Sequence, residues 1–102
     1  MNVVDRARKV RLELLAMVET IEDVRSLSMS SEYLGYFRNA SIELRKQVKE
    51  FAGVYPAWDV LNMCLNASNW RSEDYDVLIG VTNKFMQNNR KRMMRGQNGG
   101  RN

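Results

Sequence analysis

Seven apolar residues near the start of the chain constrain the fold more than any other feature. Val3, Ala7, Val10, Leu14, Met17, Ile21 and Val24 recur at alternating intervals of four and three residues. That spacing lines one side of an α-helix with an apolar seam. Leu15 and Val18 widen the seam toward the broad face of a bundle helix rather than the narrow strip of a two-stranded coiled coil. A helix of this kind has to bury its stripe, and 102 residues can build a single core and no more. Asn2 is suited to cap the helix, with Asp5 near the exposed amides of its first turn.

The same period recurs downstream. Ser30, Ser31 and Glu32 read as a helix start, and Tyr33, Phe37, Ala40, Leu44, Val48 and Phe51 as one continuous second stripe. Gly53 and Pro56 close it. Pro56 also opens a shorter third helix carrying Trp58, Leu61, Cys64 and Leu65. Ser72 is placed to cap a fourth helix, in which Tyr75, Leu78, Val81 or Thr82, Phe85 and Met86 face inward. The expected fold is therefore all-α: a small antiparallel bundle of four helices, the third short, with a basic C-terminal tail. Residues 1–95 form the bundle domain and 96–102 a disordered tail, because Gly96, Gly99 and Gly100 disfavour helix. Phe37, Phe51, Trp58 and Phe85 are expected inside.

What the chain lacks narrows its chemistry. With no histidine there is no imidazole base and no Glu-x-x-His metal site. Cys64 is the only cysteine, lies between Leu61 and Leu65 on an apolar stripe, and reads as core. A single cysteine also forms no intrachain disulfide, which suits a reducing, cytoplasmic setting. Apolar runs are broken by charge well short of membrane-spanning length. Two acidic groups, Glu19, Glu22 and Asp23, then Glu73, Asp74 and Asp76, read as helix-end charges rather than a cation site. No catalytic residue, metal ligand or cofactor is expected, and the chain is read as a non-enzyme.

The net charge of +4 is unevenly spread. Every acid lies at or before Asp76, while Lys84, Arg90, Lys91, Arg92, Arg95 and Arg101 follow it. A second basic group, Arg6, Arg8, Lys9 and Arg11, opens the chain. In a bundle of four passes the first and last ends share a pole, so both groups would merge into one basic cap. Tyr36 and Trp70, off the main stripes, and Met93 and Met94, set among arginines, add candidate contacts for a partner.

These features suggest a small helical protein-binding factor: an inhibitor, adaptor or assembly component of regulatory character. The style is that of a viral or mobile-element accessory protein acting on or near a nucleic-acid-handling complex. The alternative is a module that binds DNA or RNA without sequence preference through the merged basic cap. The heptad spacing of the first helix also allows a homodimer.

Overall fold

The protein is described here by a computed structural model covering residues 2–18 and 31–99, with backbone alone for 31, 32 and 92–99. It is an all-α bundle of four main helices, with no strand among the described residues. The helices are α1 (Val3–Val18), α3 (Ile42–Ala52), α4 (Ala57–Asn66) and α5 (Ser72–Gly99); a single turn, α2 (Ser31–Leu34), and a 3₁₀ turn, Tyr36–Asn39, stand between α1 and α3. The expected residues from 19 to 30, including the acids Glu19, Glu22 and Asp23, lie outside the described residues.

Local sequence accounts for the helix ends. The Asn2 side chain accepts from the Asp5 amide at 2.8 Å, the cap anticipated for α1. Pro56 opens α4, where its missing N–H costs nothing, and its carbonyl receives the Val60 amide at 3.1 Å. At the start of α5 the acceptor of the first helical bond is the Arg71 carbonyl, which takes the Tyr75 amide at 3.2 Å. Ser72, expected to be the cap, is therefore the first helical residue. The α5 backbone stays helical to Gly99, past the expected stop at residue 95. One glycine costs a helix about 1 kcal/mol, too little by itself to end a long one.

The expected second helix does not exist as one piece. Ala40 is extended, and Ser41, also extended, caps α3 by accepting from the Leu44 amide at 3.2 Å. The apolar period passes unbroken through this interruption, since Phe37, Ala40, Leu44 and Val48 are all buried. Periodicity records which residues face the core. It does not record that the backbone is continuous between them.

The core contains Ala7, Val10 and Leu14 of α1 and the buried residues of α3, α4 and α5, closed around Phe37. Phe85 is buried with it, whereas Phe51 and Trp58, expected inside, are only half-buried against the core. Cys64 is fully buried, and burial pushes its thiol up to about 12. It is an inert packing residue.

Contacts with α5 give the direction of each pass. Ser41 meets Asp74, the Tyr36 ring lies over Gly80, and Tyr33 accepts from Asn88. The segment from Tyr33 to Ser41 therefore runs back along α5, spanning about 21 Å of that helix at 1.5 Å per residue. Arg6, in the first turns of α1, reaches Asp76, in the first turns of α5. Because α1 packs against α5 more extensively than any other pair of elements, the two helices run side by side in the same direction. Counting α1, the 33–41 return, α3, α4 and α5 gives five passes instead of four. An odd number of passes sends the two ends of the chain to opposite poles.

Candidate functional site

The five-pass topology separates the two basic groups. The start of α1 lies beside the acidic start of α5, while Arg90 is about 21 Å further along α5 than Asp76. The merged basic cap expected from the sequence does not form. It rested on four passes, and the break at Ser41 adds a fifth.

The N-terminal cations also find partners within the chain. Arg6 pairs with Asp76 at 3.4 Å, and Arg8 lies 4.0 Å from Asp5. The half-buried Arg11 donates from Nε to Asn62 Oδ1 at 2.9 Å, tying α1 to α4. Lys9 is exposed. Exposed ion pairs of this type contribute at most about 1 kcal/mol each, but they reduce the charge offered to an outside anion.

The aromatic candidates divide. Trp70 is half-buried against the core, and its indole N–H donates to the Cys64 carbonyl at 3.0 Å, satisfying the end of α4. Tyr75 does the same for the adjacent turn, its hydroxyl donating to the Ala67 carbonyl. Trp70 thus closes a helix end, a role that its position off the main stripe did not reveal. Tyr36 is exposed at 38%, with one edge of its ring over Gly80.

Sequence reasoning missed the structural importance of Asp74. Its side chain is 1% exposed, and Oδ1 accepts from the Ser41 amide at 2.8 Å and from the Arg71 guanidinium at 3.4 Å. Arg71 also reaches the Asn39 carbonyl at 3.5 Å. One carboxylate therefore joins the start of α5 to the cap of α3. Burial alone would raise its pKa, but the backbone and side-chain hydrogen bonds from Ser41, together with Arg71, outweigh it and hold the carboxyl below its ordinary value. Its Oδ2, like the Thr82 hydroxyl, has no hydrogen-bond partner among the described residues. No sequence signal marks Asp74 beyond its place in a first helical turn, which is equally common for exposed acids.

The cationic stretch of α5 remains. Asn89, whose amide donates to the Phe85 carbonyl at 2.9 Å, is buried, while Arg90 and Lys91 are exposed. Lys84 is half-buried on the same helix. The side chains of Arg92, Met93, Met94 and Arg95 lie outside the described residues, although their backbone continues the helix. At 28 residues α5 is about 42 Å long, comparable with the 47 Å long dimension of the molecule. Among the described residues no group of histidine, cysteine or acidic side chains could hold a metal ion, and no helix is long and apolar enough to cross a membrane.

In comparisons with known proteins, no protein-family model, curated protein or solved structure matches the chain.

Proposed function

We propose that this chain is a small non-enzymatic binding factor that docks a protein partner through the cationic far end of α5. The observation that carries the reading is that the α5 backbone continues as helix for ten residues beyond Asn89, the last buried position among the described side chains, to Gly99. That stretch contains no acid, and Arg90, Lys91, Arg92 and Arg95 surround Met93 and Met94. A helix bearing adaptable methionines among fixed positive charges suits an apolar groove with an acidic rim. An inhibitor, adaptor or assembly component near a nucleic-acid-handling complex fits this mode of binding.

Nucleic-acid binding through both termini is the weaker reading, because Arg6, beside Asp76, is about 21 Å from the level of Arg90 along α5 and Arg6, Arg8 and Arg11 each have a partner within the chain. Reversing Arg90, Lys91, Arg92 and Arg95 to Glu in the full chain tests the proposal. A protein that is retained by the native chain after nuclease treatment and released by the reversed variant is expected. Equal retention by both, or loss of retention on nuclease treatment, overturns it.

A further inference from the structure

Most of the positive charge on α1 is met inside the chain, but that on α3 is not. Arg45, Lys46 and Lys49 are exposed, and none has an ion-pair partner among the described residues. At about 100° per residue they share one sector of the helix with Ile42, opposite the buried Leu44 and Val48. The packing of α3 is chiefly on α4, so this sector faces outward. Arg45 and Lys46 each stand one turn from Lys49, an arrangement of like charges that is unfavourable to a helix standing alone.

The acids nearby do not cancel the row. Glu43 and Glu50, both exposed, occupy the next sector round the helix, on the Lys46 side. Arg45 and Lys49 have no acid three or four residues away in either direction. Asp74, which meets the start of α3, is buried and already bonded to Arg71, and Asp59 of α4 forms no ion pair among the described residues. Arg45 and Lys49 therefore make a wholly positive edge, with Lys46 standing between it and the glutamates.

An occupant has to be anionic and to need little apolar contact, because Ile42, 63% exposed, is the one apolar side chain in the sector. A protein interface calls for an aromatic anchor and a membrane surface for a broad apolar face. Single-stranded nucleic acid is held by bases stacked on aromatic rings, and duplex RNA by contacts spread over about 16 base pairs. The sector has no aromatic ring and is short. Arg45 and Lys49 span about 6 Å of helix axis, close to two phosphate steps of about 3.4 Å along one strand of a DNA duplex. We infer that the outer face of α3 is a phosphate-contact surface for duplex DNA, which it engages through the backbone without reading bases. This surface is separate from the far end of α5 and does not depend on protein docking there.

Fluorescence anisotropy of the full chain with a short labelled DNA duplex at several salt concentrations tests the inference. To silence the other basic surface, the chain carries Arg90→Gln, Lys91→Gln, Arg92→Gln and Arg95→Gln. Its log K should still fall against log salt with a slope of about −2.7 or steeper, three phosphate contacts at about 0.9 each. Adding Arg45→Gln, Lys46→Gln and Lys49→Gln should abolish binding and leave far-ultraviolet circular dichroism unchanged, since all three side chains are exposed. Adding Glu43→Gln and Glu50→Gln instead should raise the affinity severalfold, because these acids repel the phosphates that Lys46 attracts. An α5-neutralised chain that does not bind the duplex at low salt, binding undiminished by the α3 changes, or tighter binding of a single strand or an RNA duplex overturns the inference. Retention of a protein through α5 is read in a different experiment and is untouched by any of these outcomes.

Discussion

A single buried carboxylate controls how two helices begin. Asp74 is held below the ordinary carboxylate pKa, so its contribution to stability is fully present above the unfolded value, near pH 4. It is lost as pH falls through the lower folded value. Asp74→Asn should therefore lower the urea-unfolding free energy by about 1–2 kcal/mol at pH 7, and by less at an acid pH low enough to protonate the folded carboxyl. Equal deficits at both pH values would show that the charge is irrelevant. Gly80 presents a second residue-scale test, since a Cβ there would lie 3.2 Å from Tyr36 Cδ1 and 3.3 Å from Cε1. Glycine in mid-helix costs about 1 kcal/mol relative to alanine, and the Tyr36 ring supplies the reason for that cost. Gly80→Ala should be close to neutral in the native chain, where the gain is spent displacing the ring. In a Tyr36→Ala background it should stabilise by about 1 kcal/mol, as read by urea titration.

At the scale of elements, the apolar stripes of α1, α4 and α5 were legible because each helix is amphipathic, with its inward residues at regular steps. Tyr75, Leu78, Val81, Thr82, Phe85 and Met86 are all buried as their spacing implied. The break between Phe37 and Leu44 was not legible, because Ala40 and Leu44 remain in step across it. Ser41 is the one local clue: a serine three residues before the Leu44 amide it caps also matches an unremarkable mid-helix serine. Ser41→Ala should cost about 1 kcal/mol and leave the Asp74 contact to the Ser41 amide intact. A loss above about 2 kcal/mol, beyond what a cap contributes, would mean that the hydroxyl, not the amide, carries the junction. Trp70 and Asp74 escaped sequence reading for a shared reason: their partners lie on elements whose positions depend on the chain path.

For the whole molecule, one hidden cap changed the count of passes, and the count decided where the ends emerge. The candidate site was legible as a list of cations but not as an arrangement, since charge in sequence does not say which pole it reaches. Spin labels on Val4→Cys and Lys91→Cys measure the arrangement directly. The native Cys64, buried and with its thiol pushed up to about 12, should escape labelling. A separation above about 20 Å is expected from the length of α5 between the two levels. About 10 Å, one interhelical spacing, would restore the converged bundle and refute the five-pass path. The shared direction of α1 and α5 has a practical corollary for anyone handling this molecule. A bead or fused domain attached ahead of α1 hangs from the pole remote from Arg90 and leaves the last helix open to solution, whereas the same cargo placed after residue 102 would shadow it.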